Sequence, residues 1–154
     1  NRLNAITDPL KARTVTEVSD IANRLEQIHV PESYAEDWRK TDAHEKQTTW
    51  LADASAMRAA GRQILDWYQT LIKDGQKVLS NAAASDLPGR ARQVLDRAEQ
   101  PPFPAHDPKQ PLQGSKRATY ATVLGLQSVA DARSKWDDIK KRLQPIATVG
   151  SGGE

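Results

Sequence analysis

Between Trp50 and Ala82, apolar or small residues recur in alternating steps of four and three: Trp50, Ala54, Met57, Gly61, Ile64, Tyr68, Leu71, Gly75, Val78 and Ala82. Residues at those offsets share one face of an α-helix, the coiled-coil-like spacing by which one helix lies along another. Leu51, Leu65, Ile72 and Leu79 widen the stripe on one side. An apolar face that broad suits a helix with two packed neighbours rather than a two-strand seam. The same alternation recurs at Ala118, Thr122, Gly125, Val129, Ala132, Trp136, Ile139, Leu143 and Ile146. A shorter apolar face at helical spacing is formed by Val15, Val18, Ile21, Ala22, Leu25 and Ile28. The fold these stripes predict is all-α: an elongated antiparallel three- to four-helix bundle with one helix of about 40 residues, roughly 60 Å long.

Start and stop signals divide the chain. Thr7 or Asp8 before Pro9 caps a first helix near 8–30, which Pro31 ends because the residue before a proline avoids the α region. A short helix near 32–40 follows. Thr41 or Asp42 with Glu45 forms a capping box that opens the long helix, 43–84. Ser85-Asp86-Leu87-Pro88 opens another helix, 87–100, with Leu87, Ala91, Val94, Leu95 and Ala98 inward. Five prolines in 101–114 (Pro101, Pro102, Pro104, Pro108 and Pro111) make a loop of polyproline character, which Phe103 pins to the bundle. Ser115 caps a last helix, 115–144, closed by Pro145. Residues 1–149 are expected to form a single domain, with 150–154 a flexible tail or linker of a fragment cut from a longer protein.

With the connection 85–114 returning the chain, the two long helices are expected to run antiparallel. Trp136 then sits beside Gly61, Leu143 beside Ala54, and Gly125 beside Leu71 and Ile72, so that large side chains meet small ones. Gly61, Gly75 and Gly125 are read as close-packing positions on the stripes.

Composition narrows function by exclusion. Hydrophobic residues make up 38% of the 154 and charged residues 27%, while aromatics reach only 5%, which speaks against a deep cofactor pocket. Cysteine is absent, which removes disulfides, thiolate metal sites and a cysteine nucleophile, and fits a cytoplasmic setting. No apolar run reaches the roughly 20 residues that a membrane-spanning helix needs. Residues 1–77 carry 11 basic and 12 acidic groups and residues 78–154 carry 11 and 8, a modest positive excess in the second half.

No phosphate-binding glycine loop, G-x-S-x-G elbow or H-E-x-x-H pair occurs. His29, His44 and His106 fall on three segments without metal-ligand spacing. Glu32, Glu36, Asp37, Asp42 and Glu45 read as solvated helix surface with ordinary intrahelical ion pairs such as Glu36 with Lys40. No catalytic, metal or cofactor residues are assigned. Two surface features remain. Arg90, Arg92, Arg97, Lys116 and Arg117 form a candidate patch for nucleic-acid phosphates. Tyr34, Trp38 and Phe103 form a candidate partner patch.

The function expected is a non-catalytic helical scaffold or protein–protein interaction domain. Its partner is another protein, other domains of the same polypeptide or a second copy; neither a membrane nor a cofactor is involved. The alternative is an accessory nucleic-acid-binding helical domain of a replication, mobility or defence protein.

Overall fold

A computed structural model of the chain describes residues 5–28, 35–81, 86–104 and 107–152. Among the described residues six helices follow a 3-10 turn at Pro9–Lys11: α1 (Val15–Glu26), α2 (Ala35–Arg39), α3 (Asp42–Ser80), α4 (Leu87–Ala98), α5 (Tyr120–Leu124) and α6 (Gln127–Gly152). Among the described residues there is no strand, only an isolated bridge between Pro111 and Thr119, so the fold is an all-α helical bundle. The chain divides into two compact units, one of Asn1–Arg62 with His106–Val129 and one of Gln63–Ala105 with Ala130–Glu154.

In the first unit, Thr14 caps α1: its hydroxyl accepts from the Glu17 N–H at 3.0 Å while the Glu17 carboxylate accepts from the Arg13 N–H at 2.9 Å. The face predicted for α1 is the one it buries, with Val15, Val18, Ile21, Ala22 and Leu25 inward. α1 ends at Glu26; Pro31, the predicted stop, lies outside the described residues. Thr41 opens α3, its hydroxyl accepting from the His44 N–H at 3.1 Å. α1 runs antiparallel to the first half of α3. Gln47 donates to the Leu25 carbonyl, Arg58 reaches Asn23 and Glu26, and Arg62 reaches Ser19, so the contacts move down one helix as they move up the other. Ala54, Met57 and Ile64 on the α3 stripe are fully buried, as is Val123.

The last helix does not begin at Ser115 as the sequence suggests. Ser115 turns instead toward Asp53, and Thr119 caps the short α5 by a reciprocal pair of bonds with Thr122. Gly125 is the C-cap of α5 and contributes nothing to close packing of a stripe. The break is held by the first unit itself, because the Gln127 N–H donates to the Arg13 carbonyl and the Ser128 hydroxyl accepts from the Val15 N–H.

The second unit is built from residues 63–80 of α3, α4, and α6 from Ala130 onward, around Leu71, Ile72, Val78, Ala91, Val94, Ala132, Trp136, Ile139, Leu143 and Ala147. α4 is antiparallel to α3. Arg97 pairs with Asp74, the Phe103 ring lies tilted against Tyr68 with centroids 6.4 Å apart, and Gln63 reaches the Pro102 carbonyl.

α6 runs parallel to α3, which corrects the expectation for this one pair. Tyr68 interacts with Arg133, and Gly75, seven residues later, faces Trp136, Ile139 and Leu143. The cause is that α4 and the segment through Phe103 have already carried the chain back, so α6 sets out in the direction of α3. The register also differs: Trp136 meets Gly75, two heptads beyond Gly61. A stripe stepping four and three maps onto itself every seven residues, so matching large to small side chains does not separate Gly61 from Gly75. At Gly75 the approach does require glycine, since a methyl there would lie 2.5 Å from Ile139 Cγ2. At Gly61 it would lie 3.1 Å from Val15 Cγ2, a tighter contact than most but with a single methyl group.

Pro145 does not end α6, which continues through it to Gly152; Gly153 and Glu154 lie outside the described residues. The ring removes the N–H that would bond the Lys141 carbonyl. Leu143 and Ala147, buried on either side of the proline, hold the helix together across it, and Arg92 donates to the Ala147 carbonyl at 3.1 Å.

Candidate functional site

Two constellations of polar side chains stand out, one in each unit. In the first, Asp53 on α3 is completely buried. One carboxylate oxygen accepts from the Ser115 hydroxyl at 2.6 Å, the Lys116 N–H at 3.0 Å and the Arg117 N–H at 3.3 Å. The other accepts from Arg117 Nε at 2.6 Å. The rest of the Arg117 guanidinium forks onto Asp8, at 3.1 and 2.9 Å, and Asp8 in turn caps the Pro9–Lys11 turn through the Leu10 N–H. Burial pushes the Asp53 carboxyl up, but the Ser115, Arg117 and backbone donors outweigh it and hold the group below its ordinary range. The same balance of burial against Arg117 keeps Asp8 low, and Asp8 raises the Arg117 guanidinium further. This clasp ties three segments distant in sequence into one unit: the 3-10 turn, α3 and the loop after Gly114. Gly114 makes that loop possible with a φ of +86°, a left-handed conformation that favours glycine.

The second constellation is a groove of about 520 Å³ between the end of α3 and α4. α3 contributes Asp74, Lys77, Val78 and Ser80, with Asn81 just after it; α4 contributes Arg90, Gln93, Val94 and Arg97. The α4 set follows the steps i, i+3, i+4 and i+7, a single helix face that confronts the end of α3. Val78 and Val94 are buried and form an apolar floor. Arg97 is engaged by Asp74 across the groove. Among the described residues no ion pair engages Lys77 or Arg90, so the groove keeps two cations open to an incoming group.

The basic residues singled out in the sequence are therefore divided. Arg90, Arg92 and Arg97 lie on α4 in the second unit, Lys116 and Arg117 in the first. Arg117 is occupied by Asp53 and Asp8, Arg97 by Asp74, and Arg92 by the Ala147 carbonyl; Arg90 and Lys116 are exposed. The aromatic residues singled out are likewise divided between the units. Tyr34 lies outside the described residues. Trp38, half-buried on α2, meets His44 edge-on at 6.0 Å. Phe103 is buried against Tyr68 and is not offered to a partner.

Asp53 was missed by motif reading, yet its position carried a signal: it lies three residues after Trp50 and four before Met57, an acid on the apolar stripe. A buried charge of that kind demands partners. Lys77 entered no sequence motif because its groove partners sit on another helix. His29 and His106 lie outside the described residues, and no cluster of metal-ligating groups occurs among the described ones. Among the described residues no helix is long and apolar enough to cross a membrane. Comparison with protein-family models, curated protein sequences and solved structures gives no match, so a functional reading rests on the geometry above.

Proposed function

We propose that this chain is a non-catalytic helical interaction domain that docks another protein, or another part of its own polypeptide, through a helical surface. A cytoplasmic setting is part of that reading. Its main support is where the polar chemistry lies. The buried carboxylate of Asp53 is engaged by four donors from its own unit and has no exposed surface at which to take a substrate proton. The groove between α3 and α4, by contrast, pairs an apolar floor with unengaged cations, a combination that binds rather than reacts. The second reading, nucleic-acid binding, draws on Lys77 and Arg90 in that groove, but Arg92, Arg97 and Arg117 are held in internal contacts.

The test is photo-crosslinking from exposed positions of α3 and α4 in the full chain, combined with titration of single-stranded and duplex DNA. The proposal predicts one recurrent protein crosslink and DNA binding no tighter than the non-specific range, roughly 10⁻⁴ to 10⁻⁶ M. Crosslinks to nucleic acid alone, with affinity falling steeply as salt rises, would replace it with the second reading.

A further inference from the structure

We infer that the α3–α4 groove takes a short acidic segment of a partner protein, seating an apolar side chain on Val78 and Val94 between flanking carboxylates. This deepens the proposed interaction role and rests on it. Charge complementarity carries the argument. Among the described residues the only acid lining the groove, Asp74, is already engaged by Arg97, which leaves Lys77 and Arg90 to receive carboxylates. Lys77 sits in the last turn of α3, where a cation is favoured by the helix dipole and stays with its helix end. Both Lys77 and Arg90 are exposed, so pairing costs little desolvation.

The extent of the charge decides between a short peptide and a polyanion. Residues 63–81 and 86–100 together hold five cations (Lys73, Lys77, Arg90, Arg92, Arg97) and five acids (Asp66, Asp74, Asp86, Asp96, Glu99). On these two helices the excess of cations is thus confined to the groove. A nucleic-acid backbone extending beyond it meets Asp86, the cap residue that precedes α4 and lies four residues before Arg90. A volume of about 520 Å³ with buried valines beneath is suited to a few side chains.

The probe is a short fluorescein-labelled peptide alternating leucine and glutamate, titrated against the full chain and followed by anisotropy, with amide NMR shifts recorded in parallel. Binding is expected with the largest shifts at Val78 and Val94. The Lys77→Glu, Arg90→Glu double variant should weaken it tenfold or more, and the control Lys109→Glu, Lys140→Glu should leave it within twofold. Circular dichroism melts of both variants should match the parent, which separates lost binding from lost folding. No binding by the peptide, equal binding by the charge-reversed groove, or tighter binding of a labelled single-stranded DNA to the same residues would overturn the inference. If the peptide fails while photo-crosslinking finds a protein at another surface, the groove assignment falls and the interaction role stands.

Discussion

Removing the Asp53 carboxylate is the sharpest perturbation of the first unit. Asp53→Ala leaves the Ser115 hydroxyl, the Lys116 and Arg117 amides and the Arg117 guanidinium without their acceptor, which is itself fully buried while its donors are part-buried. Each neutral donor stranded in a buried site costs about 1–3 kcal/mol. The guanidinium retains Asp8 and partial exposure, so its share is smaller than that of a fully buried orphan charge. Non-additivity among donors of one network holds the total to about 3–5 kcal/mol. For a chain of this length that corresponds to a fall in Tm of about 6–20 °C, at roughly 2–4 °C per kcal/mol. Asp53→Asn keeps the shape and one accepting oxygen but turns an N–H toward Arg117 Nε, for a loss of about 2–4 kcal/mol. The assay is urea unfolding followed by ellipticity at several wavelengths, with a double-mutant cycle against Arg117→Ala to isolate the pair. If Asp53→Ala unfolds within about 0.5 kcal/mol of the parent, the clasp does not hold the unit together and the reasoning fails.

Because Asp8 and Asp53 both titrate below their ordinary value of 3.8, the unfolded chain binds more protons than the folded one in acid. Their stabilisation should be complete above pH 4 to 5 and be lost as the pH falls through the folded values. Melting curves from pH 6 down to 2 should show it, with a shallower decline in Asp53→Asn. Gly75→Ala should destabilise by up to about 2 kcal/mol in urea: displacing Ile139 costs about 1–3 kcal/mol and the gain in helix propensity is about 1 kcal/mol. Pro145→Ala restores a donor for the Lys141 carbonyl within α6 and should stabilise by about 1–2 kcal/mol, read from the same transition.

What the sequence made legible were the periodic features. The stripe residues Met57, Ile64, Leu71, Val78, Val129, Trp136 and Leu143 are buried as their spacing implies, and the face of α1 is the one foreseen. Local cap chemistry was legible too, at Thr41 and at Pro88 in the first turn of α4. What escaped depends on contacts distant in the chain. The direction of α6 was set by α4 and the segment ending near Phe103, and a heptad frame is silent on both direction and register. Ser115 reads as a helix cap in isolation but serves Asp53, and Pro145 reads as a stop until Leu143 and Ala147 are seen packed on both sides of it. The basic residues looked like one patch because sequence shows charges and not their partners. Arg117 is a structural ligand of two carboxylates, whereas Lys77, absent from every motif, lines the open groove.

The parallel course of α3 and α6 in the second unit is the claim on which the topology turns. The chain has no cysteine, so paired cysteines can be introduced without background. Tyr68→Cys with Arg133→Cys should join rapidly under a short bismaleimide crosslinker, and Tyr68→Cys with Ile146→Cys should not. Preferential joining of the Tyr68 and Ile146 positions, which an antiparallel pair through the same Gly75–Ile139 contact would bring together, contradicts the fold described.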